Sequence, residues 1–119
     1  MKAASMKAAN DGLSLKLRAI SEPVRREILR LLRRQGLCSL DRADGMCAAD
    51  LERHMGLAQP TISHHMRVLA EAGLVRAEKV GTWVCYSRDD AALRRLARAV
   101  RQELEQKSGD QRGKEATSS

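Results

Sequence analysis

Three cysteines, Cys38, Cys47 and Cys85, carry the widest chemical reach of any side chains in this 119-residue chain. An odd number argues against the fully paired framework of a secreted disulfide scaffold. In a reducing compartment such thiols act as small packed residues, soft metal ligands or redox sensors. As thiolates they suit As(III), Sb(III), Cd(II), Hg(II) or Cu(I) rather than Mg(II) or Ca(II). Trivalent arsenic prefers a pyramid of three sulfurs. Cys38 and Cys47, nine positions apart across a turn-rich loop, can supply two. The third would come from Cys85, a second protomer or a small thiol. Zinc prefers four ligands, for which His54 is an available addition. Oxidised together, Cys38 and Cys47 would instead form a thiol switch with no metal. Cys85, between Val84 and Tyr86 in an apolar run, also reads simply as a packed strand residue.

A second set of polar groups has a helical spacing. Gln59, Thr61, Ser63, His64 and Arg67 lie opposite a stripe of Ile62, Met66 and Leu69, which recur at i, i+4 and i+7. Short hydrogen-bonding and basic side chains on one exposed helix face can read base edges in a DNA major groove. The plainer reading of the same face is an ordinary solvated one. His65, adjacent to His64, points elsewhere and is assigned to packing or hydrogen bonding.

The elements that must hold these groups can be read around them. The stretch from Cys47 to Leu74 predicts two helices with a tight joint. Leu51 and Met55 share a face of the first, and Gly56 ends it in the left-handed conformation. Pro60 suits the first turn of the second, and Gly73 closes it. LVRAEKVGTWVCYSR then predicts a hairpin, with Leu74 and Val75 leading one strand, Lys79–Thr82 as the turn and Trp83–Tyr86 returning. A hairpin after such a helix reads as a wing, with Arg76 and Lys79 near its tip beside the phosphate backbone.

Upstream, SEPVRREILRLLRR predicts a helix capped by Ser21, with Pro23 in its first turn and Val24, Ile28, Leu31 and Leu32 as its apolar stripe. Residues 12–19 predict a shorter helix, although Leu13, Leu15 and Leu17 are spaced closer to two than to 3.6. Gly36 to Met46 is expected to be a loop. After Asp89 and Asp90, which can cap a helix, Leu93, Leu96, Val100 and Leu104 form a stripe expected to pack against a second copy of the chain. The expected fold is mainly α with a β-hairpin wing, in the order α-α-α-α-β-β-α, as a homodimeric winged helix-turn-helix. Residues 12–107 would form the domain, with flexible tails at 1–11 and 108–119.

Composition agrees. The chain has one Trp, one Tyr and no Phe, so its core must be aliphatic. A net charge of +7 from 22 Lys+Arg and 15 Asp+Glu suggests a polyanionic partner, nucleic acid before membrane. No apolar run approaches the roughly 18 residues of a membrane span and no signal-peptide core is evident, so the expected location is cytoplasmic. Enzyme chemistry is not indicated: no Ser/His/Asp arrangement, pocket-forming carboxylate pair or phosphate-cradling glycine loop occurs.

The segments ISEPVRREILRLL, DLERHMGLAQPTISHHMRVLAEAGLV and GTWVCYSR resemble the ArsR/SmtB family of bacterial repressors over roughly residues 13–105. The resemblance implies a dimeric repressor that binds pseudo-palindromic operator DNA and lets go when a metal or metalloid binds. It also places Gln59, Thr61, Ser63, His64 and Arg67 on the DNA-facing helix. There are departures. Ala58 stands where the family usually has a capping Ser, a loss of about 1 kcal/mol of local stability. Arsenic sensors of the family often have Cys-x-Cys at the start of the first helix of the pair; here Cys47 matches the first position and Ala49 the second. The last helix has no His, as the family's zinc sensors would need, and no Cys, as its persulfide sensors would need. The expected ligand set is therefore Cys47, Cys38 and Cys85, with As(III), Sb(III) or a soft divalent metal as inducer and no obligatory cofactor. Two other readings remain open. One is a redox-switched or inducer-independent repressor of the same fold. The other is a winged helix used only for protein interaction, which would bind DNA without salt dependence or not at all.

Overall fold

The computed structural model describes residues 12–33 and 45–105. The two tails, most of the 36–46 loop and Cys38 lie outside the described residues. The elements are α1 (Gly12–Ser21), α2 (Pro23–Arg33), β1 (Met46–Cys47), α3 (Ala48–Met55), α4 (Gln59–Glu71), β2 (Val75–Val80), β3 (Trp83–Arg88) and α5 (Asp90–Glu105). None of these helices is long and apolar enough to cross a membrane.

The expected order of elements is present with one addition, the strand β1. It pairs antiparallel with β3, Met46 opposite Tyr86 and Cys47 opposite Cys85, so the hairpin becomes a three-stranded sheet in the order β1-β3-β2. Gly45 makes this approach possible. Its φ is +87°, and a Cβ there would overlap the Tyr86 carbonyl oxygen. Only glycine meets both conditions. The loop expected to run through Met46 therefore ends one residue earlier than read.

Two further boundaries differ from expectation. Ser21 does not cap α2: it ends α1, and its hydroxyl donates to the Arg18 carbonyl at 2.8 Å. The Glu22 carbonyl instead accepts the first α2 amides, from Arg25 at 3.1 Å and Arg26 at 3.3 Å. The wing turn is shorter than the expected four residues. Val80 pairs with Trp83, so only Gly81 and Thr82 make the turn and Lys79 belongs to the strand.

The core is aliphatic as composition requires. Ile28 of α2, Met46 of β1, Leu51 of α3, Ile62, Met66 and Leu69 of α4, and Leu74 are fully buried together. Each such side chain contributes about 1.5–3 kcal/mol relative to exposure. In α1 the core contacts come from Leu13, Ala19 and Ile20, at helical spacing, while Leu15 and Leu17 are partly exposed. That resolves the period of two in the leucines: only one of the three faces the core.

Candidate nucleic-acid interface and cysteine pair

α3 and α4 are joined by Gly56, Leu57 and Ala58. Gly56 is left-handed (φ 67°), and its amide donates to the Glu52 carbonyl at 2.8 Å, closing α3 as glycine can without steric cost. α4 then begins without a side-chain cap, because Ala58 has none to give. The Ala58 carbonyl still accepts from Thr61 and Ile62 at 3.0 and 3.1 Å. Pro60 has no amide hydrogen, so with Thr61 and Ile62 both bonded to Ala58 the start of α4 offers few outward amides.

The buried stripe of Ile62, Met66 and Leu69 fixes which way α4 is rolled. It leaves Gln59, Thr61, His64 and Arg67 exposed and Ser63 half-buried. Gln59 Nε2 donates to Ser63 Oγ at 2.9 Å, so these two side chains are held alongside one another on the outer face. His65 points inward. Its Nδ1 lies 3.1 Å from a terminal nitrogen of Arg25, whose Nε donates to the Ala19 carbonyl at 2.7 Å. α4 is thus tied to the junction of α1 and α2. Burial, and then the Arg25 charge, hold the His65 imidazole below its usual pKa range.

The wing presents Lys79 exposed one residue before Val80, close to the tip. Arg76 is elsewhere. It sits at the wing root opposite Ser87, and its guanidinium pairs with Asp89 at 3.2 Å. Its expected place near the tip is therefore corrected. Asp89 also caps α5, accepting from the Ala92 amide at 3.0 Å. That hydrogen bond, with the nearby Arg76 and Arg95 charges, keeps its carboxyl below the usual range despite some opposing desolvation. Next to it Arg88 donates to Asp90 Oδ1 at 2.7 Å and to the Leu29 carbonyl at 2.9 Å, binding the end of the wing to α2. The bracing role of Arg88 was not legible, since its partner Leu29 is 59 positions away.

The stripe of the last helix divides. Leu96 is buried in its own chain, and Leu93 and Val100 pack on the same core, while Leu104 stays exposed. Leu96 is thus covered within its own chain, whereas Leu104 on α5 and Leu15 and Leu17 on α1 are large apolar groups exposed on the described helices.

The cysteines give the least anticipated geometry. Cys47, the residue that precedes and N-caps α3, stands directly opposite Cys85 of β3, with Cα atoms 3.8 Å apart, and the two sulfurs are joined as a disulfide. Both are buried, with Val80 packed over them. His54 is exposed in the last turn of α3, and no group of three or more His, Cys, Asp or Glu able to hold a metal occurs among the described residues. Asp50 is fully buried in the first turn of α3 and paired with Arg53 at 2.5 Å, a role that no local sequence pattern marks. An acidic group there suits the positive end of the helix.

Comparison with known proteins agrees with this geometry. A helix-turn-helix domain family matches residues 20–78. An uncharacterized helix-turn-helix transcriptional regulator of Methanocaldococcus jannaschii is 35% identical over 83 residues, covering 70% of this chain and 84% of that protein. The arsenical resistance operon repressor of Staphylococcus aureus is 37% identical over 81 residues, covering 68% of this chain and 69% of the repressor. Among solved structures, an ArsR-like transcriptional regulator from Rhodococcus sp. RHA1 superposes with a TM-score of 0.68 at 26% identity, over 90% of this chain and 91% of the other. With its outward polar α4, its three-stranded wing and these relatives, the chain belongs to the ArsR/SmtB family of winged helix-turn-helix transcriptional regulators.

Proposed function

We propose that this protein is a homodimeric transcriptional repressor, reading operator DNA with α4 and the wing and released when a thiophilic metalloid or metal ion binds cysteine thiolates. The observation that carries the DNA reading is the roll of α4. Burial of Ile62, Met66 and Leu69 turns Gln59, Thr61, Ser63, His64 and Arg67 outward as one polar face. Base-edge contacts from that face are each worth roughly 1–3 kcal/mol of discrimination. Lys79 on the wing, exposed near its tip, supplies a phosphate contact, so affinity falls with salt. The excess of basic residues over the whole chain favours the same partner.

Release requires the inducer to bind a form of the dimer that fits DNA poorly more tightly than the form that fits it well. The position of Cys47 directly before α3 supports this reading, since a ligand on its sulfur would act on the helix that supports α4. The likeness to an arsenical resistance repressor supports a trivalent metalloid as inducer. Cys85 faces Cys47 across β1 and β3, and Cys38 would be a further ligand. The test is Cys47→Ser on operator DNA with As(III) added. Intact DNA binding with no release is expected, and release retained in this variant removes Cys47 from the mechanism.

A further inference from the structure

The Arg88 brace at the root of the wing also lines an open cleft. Arg33 in the last turn of α2, Arg88 at the end of β3, and Asp90, Leu93, Arg94 and Ala97 of α5 surround a volume of about 420 Å³. That lies within the roughly 300–1,000 Å³ of small-molecule sites. The cleft shares no residue with the outward face of α4 or with the cysteine pair. The Arg88 side chain is only 18% exposed, and two of its three nitrogens are committed. Nε donates to Asp90 and one terminal nitrogen donates to the Leu29 carbonyl. The second terminal nitrogen has no protein partner among the described residues. Arg33 and Arg94 form no ion pair with any described residue.

Charge is therefore out of balance at this place. Three guanidiniums face one carboxylate, so the lining carries two uncompensated positive charges. Arg94 also has Arg98 four positions along the same exposed helix, a like-charge pair that weakens a helix instead of supporting it. An anion bound from outside would relieve both. A guanidinium presents paired N–H groups that match a carboxylate or a phosphate in bidentate fashion. Leu93 and Ala97 add an apolar stretch to the lining, and the volume exceeds what a bare inorganic ion fills.

We infer that the cleft between α2, the wing root and α5 is a binding site for a small organic dianion, a dicarboxylate or a phosphate monoester. Two negative charges balance the lining, and the carbon body lies against Leu93 and Ala97. Arg33 and Arg94 hold the charged ends, and Arg88 contributes its remaining terminal nitrogen. Asp90 works against the ligand, because it occupies the Nε edge of Arg88 and repels a further negative charge. The ligand is independent of the cysteines and of the inducer proposed for them.

The experiment is isothermal titration calorimetry on the full-length reduced protein at fixed ionic strength in chloride. The probes are succinate, glycerol 3-phosphate, inorganic phosphate and acetate. One equivalent per chain of succinate or of glycerol 3-phosphate should bind, and the tighter of the two names the charged group recognised. Acetate, with one charge, and inorganic phosphate, with no carbon body, should each bind more weakly. The Arg33→Ala/Arg94→Ala variant should bind the preferred dianion at least about tenfold more weakly, as the loss of charge-assisted hydrogen bonds requires. Both side chains are exposed, so this variant should melt as the wild type does. Asp90→Asn should bind more tightly than wild type. Arg98→Ala/Arg101→Ala removes the same charge from α5 outside the cleft and should bind as the wild type does. Absence of binding by both organic dianions overturns the site. So does an equal loss in the Arg98→Ala/Arg101→Ala control, which would show only general attraction to a basic protein. Inorganic phosphate bound as tightly as the organic dianions overturns the ligand class. Operator DNA that displaces the dianion, together with weakened operator binding by Arg33→Ala/Arg94→Ala, would place DNA phosphates in the cleft and overturn the small-molecule occupant.

Discussion

The imidazole of His65 accepts at Nδ1 from Arg25, 3.1 Å away, so the ring is held neutral between α4 and the α1–α2 junction. An arginine does not give up its proton, so Nδ1 must be the bare nitrogen and Nε2 carries the hydrogen. A protonated ring would set two cations face to face.

This makes stability depend on pH in a definite direction. The folded pKa of His65 is lowered, first by burial and then by Arg25. The unfolded chain therefore takes up this proton at a higher pH than the folded chain does. Stability is full above the ordinary histidine range, falls as pH drops through the lowered folded value, and levels off below it. Melting temperature against pH for the wild type and His65→Gln checks it: the wild type should lose more on acidification. Parallel curves would show that His65 is not the linked group.

Gly45 makes a separate prediction. Gly45→Ala must place a Cβ where the Tyr86 carbonyl lies and adopt a positive φ as well. β1 should detach from β3 at a cost of about 1–3 kcal/mol, and disulfide formation between Cys47 and Cys85 should slow. Gly56→Ala is the control. It also has positive φ, but nothing lies within 4 Å of the added carbon, so only the conformational cost of about 1–2 kcal/mol applies. Urea denaturation of the two variants, with thiol titration after peroxide, separates the effects. Equal thiol kinetics in both would mean that β1 does not depend on Gly45.

The contrast between these two glycines also shows what could be read in advance. Gly56 follows a helical stripe and precedes a Gln-Pro helix start, so local pattern alone assigns its role. The roll of α4 was equally plain, since Ile62, Met66 and Leu69 repeat at helical spacing and every one is buried. β1 was not, because a two-residue strand has no period of its own and exists only through a partner 38 positions later. The same separation puts the pairing of Cys47 with Cys85 beyond local pattern, whereas Cys38 is near Cys47 in sequence. Arg76 was misplaced for a related reason: without the register of the wing, the two-residue turn could not be located. The stripe of Leu93, Leu96, Val100 and Leu104 shows which face is buried but not whether its own chain or a second copy covers it, and Leu96 is covered by its own chain.

At the wing root, Arg76 and Asp89 can be dissected by substitution. Asp89→Ala removes the cap of α5 and should cost about 1 kcal/mol of stability. Arg76→Ala removes only an exposed ion pair, worth about 0.2–1 kcal/mol. Chemical denaturation of both variants and the double variant gives the coupling. A large loss from Arg76→Ala alone would show that the pair, not the cap, holds α5.

On DNA, the face of α4 and the wing should behave differently. Arg67→Ala should weaken operator binding by roughly 1–3 kcal/mol and relax preference at a particular base pair. Lys79→Ala should weaken all sequences alike and lower the salt slope by about one ion. Competition between operator and scrambled duplex distinguishes them. If Arg67→Ala weakened both duplexes equally, Arg67 would be a phosphate contact.

The most direct test is fluorescence anisotropy of the reduced protein on DNA from immediately upstream of its own gene, across a series of salt concentrations, with the Gln59→Ala/Arg67→Ala double variant alongside. Tight binding by the wild type that weakens steeply with salt, and loss of preference for that DNA in the variant, is the expected result. A wild type that binds no DNA, or a variant that binds and discriminates as well as the wild type, would contradict α4 as the reading helix.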